Sequence, residues 1–170
     1  MLGLPSSSIF LYNSFVRNNF LFQELEHLVS QCDKCVLYQP IHGEVDYNDR
    51  VFPLILNQER ILLPNSRRTD PLLWADKSVE QYKGSKTYVL VPGKTFDIYG
   101  TRHGRGGGWY DRFLSRIPTD WVRIGVAHAS QISKTPILKN SWDESVDWII
   151  IKNEDSTEFD CLKISQTRLH

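Results

Sequence analysis

Cysteine is scarce in this chain, with only three in 170 residues, at positions 32, 35 and 161. An odd and small count supplies no disulfide framework of the kind that staples small secreted domains. Cys32 and Cys35 stand at CxxC spacing, but no second CxxC and no histidine pair follows, and Cys35 opens an apolar run. They read as structural thiols rather than as a redox or metal site. An excess of one charge is also missing: 20 Lys and Arg balance 20 Asp and Glu. That balance excludes a global field for nucleic acid or for an anionic membrane. No apolar run approaches the roughly 18–20 residues that a membrane span takes. The opening Met1–Ser8 lacks the basic leader and the cleavage site of a signal peptide. The expectation is therefore a cytoplasmic monomer with neither a nucleic-acid nor a membrane partner. Repeats and low-complexity tracts are absent as well. Residues 1–170 fit one domain, and a domain near this length buries roughly 70% of the surface of its unfolded chain.

What is present alternates between helical and extended patterns. Ile9, Leu11, Phe15, Leu21, Leu25, Leu28 and Val29 recur at helical spacing over residues 8–31, with Ser6–Ser8 as candidate caps and Asn18-Asn19 as a point where the helix could divide. Strands are predicted at 35–38, 60–63, 87–91, 122–127 and 147–151, several of them stopped by proline or glycine. A short helix is predicted over 49–57 and another over 109–116. The stretch 65–86 is polar and reads as a mobile loop, and 154–170 reads as a C-terminal tail. Short apolar strands alternating with helices predict a three-layer α/β/α fold around a largely parallel sheet.

The chemistry concentrates after the strand at 87–91. Gly104, Gly106, Gly107 and Gly108 stand just ahead of the helix at 109–116. Glycines let the backbone approach a ligand, and successive N–H groups at a helix start form an anion cradle aided by the helix dipole. Arg102 and Arg105 add fixed positive charge with forked donors that match phosphate oxygens. Asp111, in the first helical turn, is placed to hold a magnesium ion bridging those oxygens. The loop is not a Walker A, because no Gly-Lys-Ser/Thr closes it.

The stretch Val91-Pro-Gly, Phe96-Asp97, Gly100, Arg102 and Gly104-Arg-Gly-Gly-Gly-Trp-Tyr-Asp111 resembles the signature of the 5-formyltetrahydrofolate cyclo-ligases. Gly43-Glu-Val-Asp46, Arg60–Pro64, Gly125–His128 with Gln131, Trp142-Asp143 and Val146-Asp147 resemble flanking blocks, so that the likeness covers about residues 34–153. The resemblance implies the three-layer fold shared with ribose-5-phosphate-class sugar-phosphate isomerases and CoA transferases. It implies that Arg102, His103, Gly104, Arg105, Gly106, Gly107, Gly108, Trp109 and Tyr110 contact ATP. Arg105 to Trp109 would also lie near the folate, with Glu44 facing the reduced pterin. Arg105 and Tyr110 would act in catalysis, and Asp111 and Asp143 would ligate Mg2+. Outside the motif, residue type alone reads His128 as a strand-end histidine. Trp74 is either a flat cap for a pterin or, the reading preferred here, a packing residue.

The implied reaction converts 5-formyltetrahydrofolate and ATP to 5,10-methenyltetrahydrofolate, ADP and phosphate. A formamide oxygen leaves poorly, so ring closure requires it to be phosphorylated before the neighbouring N10 attacks. Such a transfer demands positioning and charge neutralisation more than a protein nucleophile. Four features depart from the family pattern, two of them a shorter region between Pro64 and Tyr88 and the lack of a clean counterpart to the family's methionine–aromatic folate contact. The family's N-terminal lysine, with an arginine four residues on, has no match, and Arg17 is the only Lys or Arg before Lys34. Lys152-Asn-Glu154 replaces the usual Thr-Glu at the last strand. These departures keep open a non-catalytic nucleotide- or folate-binding homologue, or an enzyme that turns over slowly unless Arg17, Arg67 or Arg68 supplies the missing charge.

Overall fold

The structure, a computed structural model, describes residues 7–65 and 68–165, and the side-chain surroundings from residue 19 onward within them. In chain order the elements are α1 (Ser7–Ser30), β1 (Lys34–Tyr38), β2 (Glu59–Leu63), α2 (Pro71–Gln81), β3 (Thr87–Pro92), β4 (Thr95–Phe96), β5 (Arg102–His103), α3 (Trp109–Arg116), β6 (Val122–His128), a 3-10 turn at Ala129–Gln131, β7 (Trp148–Lys152) and β8 (Phe159–Lys163). The six-stranded sheet runs β2-β1-β3-β6-β7-β8, all neighbours parallel except the antiparallel pair β7-β8. The small antiparallel hairpin β4-β5 stands beside it.

The pleat of β3 shows how the layers arise. A strand sends successive side chains to opposite faces. Tyr88 and Leu90 join the core that holds Leu25 and Val29 of α1, while Val89 and Val91 join the core that holds Ala75 of α2 and Phe113 and Leu114 of α3. One helix on one face and two on the other make the three-layer α/β/α fold expected from the alternating pattern. Cys35 and Cys161 are buried free thiols in the first of these cores, with Cys32 at its edge, and burial pushes the pKa of each upward. Among the described residues, no helix is long and apolar enough to cross a membrane.

Four local expectations are corrected. Helix α1 continues through Asn18-Asn19 without dividing. No helix forms over 49–57. There Asp46 and Asp49 accept hydrogen bonds from the backbone N–H groups of Asn48 and Val51, which holds the chain in turns, and Pro53 has no N–H to give a helix. The supposed loop over 65–86 contains α2, capped where the Asp70 carboxylate accepts from Leu72 N at 2.9 Å with Pro71 in the first turn. The supposed tail contains β8, which covers the edge of β7.

A missing side chain fixes the hairpin to the sheet. The Phe96 ring is fully buried. It lies where Cβ atoms on Gly93 and Gly125 would stand, at 2.8 Å and 2.7 Å from its Cε2 and Cε1. Only glycine in the middle of β6 leaves that slot open. Gly125→Ala should therefore lower stability by about 1–3 kcal/mol, read as a lower urea midpoint with an unchanged slope. An unaltered midpoint would mean that the ring does not occupy the slot.

Candidate functional site

Parallel α/β sheets present their ligand sites beyond the carboxyl ends of the strands. A cavity of about 490 Å³ opens there. Its wall takes Tyr38 and Gln39 from the end of β1, Pro64 and Asn65 from the end of β2, and Pro92 and Gly93 from the end of β3. The β5 strand, the glycine loop and the start of α3 form the facing side, and Trp142 and Asp143 come from the loop before β7. Of the residues to which the family resemblance gives a nucleotide, folate, catalytic or metal role, all line this cavity except Gly107.

The glycine loop has a backbone that only glycine tolerates easily. Gly106, Gly107 and Gly108 have φ of 89°, 77° and 57°, three left-handed residues in succession. Gly108 is also the N-cap of α3 and brings no side-chain cap to the helix start. The N–H groups there are left without a side-chain cap, the arrangement in which helix starts meet anions.

Two arginines flank the cradle in different ways. Arg102 is only 3% exposed. Its Nη2 donates to Asp111 Oδ1 at 3.2 Å, and its guanidinium lies 5.4 Å from the centre of the Tyr110 ring. Its Nε is buried with no hydrogen-bond partner among the described residues. Desolvation pulls the Arg102 pKa below its ordinary value, with Asp111 opposing. Gly104 makes room for this group, because a Cβ there would stand 3.1 Å from Arg102 Nη1. Arg105 is more open. Its Nε lies 3.3 Å from Glu44 Oε1, and its Nη2 donates to the His42 carbonyl at 3.2 Å.

Glu44 is mostly buried, and its other oxygen accepts from Ile41 N at 3.2 Å. Burial pushes its pKa up, with the Ile41 N–H and Arg105 pulling the other way. The Tyr110 phenol is also driven upward, first by burial and then by the charge of Glu44. Tyr110 therefore keeps its proton at neutral pH.

Asp111 and Asp143 reach the same cavity from distant parts of the chain. Asp111 Oδ1 accepts from Glu144 N at 3.2 Å, so the residue after Asp143 is hydrogen-bonded to Asp111. Asp143 Oδ2 accepts from Asn140 N at 2.8 Å. Trp109 has less freedom than its place in the motif suggests. Its Nε1 donates to Thr69 O and Oγ1 at 3.0 and 3.2 Å, and its ring stacks on Phe113.

Among the lining residues, sequence reasoning gave no site role to Asn65 or Trp142. Trp142 is 69% exposed at the rim, and a solvent-facing tryptophan beside a loop acid was the available signal. Trp74 belongs to the core side of α2, as a packing residue. His128 ends β6 outside the cavity wall. Arg67 and the side chain of Arg17 lie outside the described residues.

The model of the 5-formyltetrahydrofolate cyclo-ligase family matches residues 73–152. A 5-formyltetrahydrofolate cyclo-ligase of Mycoplasma pneumoniae is 30% identical over 122 residues, covering 70% of this chain and 73% of that protein. The mitochondrial 5-formyltetrahydrofolate cyclo-ligase of Arabidopsis thaliana is 30% identical over 115 residues, covering 61% of this chain and 39% of that longer protein. Among solved structures, the NMR structure of Aquifex aeolicus 5,10-methenyltetrahydrofolate synthetase matches with a TM-score of 0.50 and 22% identity, covering 96% of this chain and 95% of that one. At that identity the likeness is one of fold. With the glycine loop, the buried Arg102–Asp111 pair and the length of the Mycoplasma match in agreement, this chain belongs to the 5-formyltetrahydrofolate cyclo-ligase family.

Proposed function

We propose that this protein converts 5-formyltetrahydrofolate and ATP to 5,10-methenyltetrahydrofolate, ADP and phosphate, with Mg2+, in one-carbon folate metabolism. One observation carries the reading. A single cavity brings together an uncapped run of left-handed glycines, a buried guanidinium with an unused donor, and an acid whose pKa is raised by burial. An anion such as a triphosphate fits the first two. The polar edge of a reduced pterin fits the third.

The donor set suits the metal. Mg2+ is commonly held by one or two carboxylates, with phosphate oxygens and water filling the rest of its shell. Asp111 and Asp143 supply two, and among the described residues no larger His, Cys, Asp and Glu cluster exists. Asp111 Oδ2 lies 4.0 Å from where a Gly108 Cβ would stand, which aims a negative charge at the anion cradle. A phosphate could share that space only if a cation came with it. When bound, Mg2+ would neutralise phosphate charge and orient the terminal group.

The remaining roles belong to the chain. N–H groups around Gly106–Trp109 and the Arg102 guanidinium bind and orient the phosphates. Arg105 moves from Glu44 to the transferring phosphoryl group. Glu44 is largely buried, so the exchange is favourable only if the pterin edge takes the place that Arg105 leaves. Glu44, once released, takes the pterin edge. The formyl oxygen then forms a bond to the terminal phosphorus as the bond to ADP breaks. N10 next attacks the activated carbon, phosphate departs with the formyl oxygen, and the N10 proton is lost. Tyr110, holding its proton, donates a hydrogen bond to the developing negative charge.

The direct assay is the absorbance rise of methenyltetrahydrofolate under saturating ATP and Mg2+. A rise matched one-to-one by ADP supports the proposal, and ATP binding without any product overturns it.

Two variants probe the division of roles. Arg105→Glu should weaken ATP binding by about 10- to 100-fold or more, the factor for one lost charge-assisted hydrogen bond with repulsion added. Wild-type affinity by calorimetry would remove Arg105 from the phosphate site. Glu44→Gln should stabilise the folded chain at pH 7–8. A carboxyl whose folded pKa lies above its unfolded value opposes folding once ionised, and the cost vanishes below the unfolded value. The gain in melting temperature over wild type should fade as pH drops through the ordinary carboxylate range near ~4.3. A gain that grew toward acid pH would contradict the assignment.

A further inference from the structure

Arg123 is the second residue of β6, 2% exposed, and the proposed reaction makes no use of it. A guanidinium removed from water is tolerated only where its donors and charge are met. Both terminal nitrogens of Arg123 meet partners, on two separate elements. Its Nη2 donates to the Leu114 carbonyl at 2.7 Å, in the last turn of α3, where a helix favours positive charge. Its Nη1 donates to Glu144 Oε2 at 2.6 Å, on the loop before β7. The main chain of the same residue grips that loop again. Arg123 N donates to Asp147 Oδ2 at 2.8 Å, and Asp147 N donates to Arg123 O at 2.8 Å.

These two elements carry the two carboxylates of the proposed metal site. Asp111 stands in the first turn of α3, and Asp143 immediately precedes Glu144. The Glu144 N–H, donating to Asp111 Oδ1, closes the ring of contacts. We infer that Arg123 is a positioning residue that sets Asp143 against Asp111, so that the pair is arranged for a divalent cation before one arrives. The inference rests on the metal role proposed for those two acids. Arg123 touches neither substrate nor cation. It acts by tying the far end of α3 to the Asp143 loop, in the manner of outer partners that orient ligands.

A purely structural arginine would affect stability alone, so the test separates stability from metal affinity. Arg123→Met keeps the aliphatic stem and removes the donors. Titration of Mg2+ into the ATP complex should show affinity for the ion lowered by about 10- to 100-fold. ATP binding without metal should stay within about twofold of wild type, as uncoupled sites do. The kcat should fall and recover in part as Mg2+ is raised, with KM for the folate unchanged. Glu144→Ala severs the same tie at its partly exposed end, and serves alone if Arg123→Met does not fold. Wild-type Mg2+ affinity in a folded variant, whatever its melting temperature, overturns the inference. Failure of the unmodified protein to show any Mg2+ dependence of ATP binding is a different result. It overturns the proposed metal role, and the inference with it.

Discussion

A guanidinium leaves water only where its charge is answered, and Arg102 has left water almost entirely. Its answer is Asp111, in the first turn of α3, together with the face of Tyr110. That requirement joins the β4-β5 hairpin to the start of α3 and so fixes the span between them, residues 104–108, as a tight loop. Gly104 accommodates the guanidinium, and Gly106, Gly107 and Gly108 accommodate the backbone path. The site is therefore built by electrostatic necessity around one buried cation. Its leftover donor, Arg102 Nε, has no hydrogen-bond partner among the described residues. A buried donor left unpaired is costly, and a bound anion would relieve that cost.

The rest of the structure holds this arrangement against the sheet. Phe96 plugs the hairpin into the slot left by Gly93 and Gly125. Asp97, buried and accepting from the N–H groups of Tyr99, Thr101 and Ile137, ties the hairpin turn to the loop that leads toward Asp143. Gln131 donates to the Gly93 carbonyl and accepts from His128 N, which links the end of β6 to the floor of the loop. The second arginine is held differently. Arg105 is partly exposed, and its partner Glu44 keeps a carboxylate in a setting that disfavours ionisation. A rigid, buried Arg102 and an exchangeable Arg105 suit a site that must grip one ligand and respond to another.

The sequence made the central strands and the loop chemistry readable, for physical reasons that did not extend to the rest. β1, β3, β6 and β7 are runs of apolar residues buried on both faces, and such runs are hard to mistake. Helix α2 was hidden because its buried positions are Pro71, Ala75 and Ser78, which leave no apolar stripe. Asp70-Pro71 was the cap signal that pointed to it. β8 was hidden because an edge strand such as Phe159-Asp-Cys-Leu-Lys163 mixes polar and apolar residues. The glycines, Arg102, Arg105 and Asp111 could be chosen as a site because their spacing within one segment states a chemistry. Arg123 and Glu144 could not. Their relation is a contact between a strand and a distant loop, and nothing in either local sequence announces it.

The account stands or falls on whether one cavity holds both substrates with the reacting atoms in line. The most direct measurement is a crystal structure of the full chain with a non-hydrolysable ATP analogue, Mg2+ and 5-formyltetrahydrofolate. The account predicts the terminal phosphate on the N–H groups around Gly106–Trp109 with Arg102 Nε turned to it. It predicts the cation between Asp111 and Asp143, and the formyl oxygen about 3–3.5 Å from the terminal phosphorus. A nucleotide bound away from the glycine loop, or a folate seated on a different face, would contradict it.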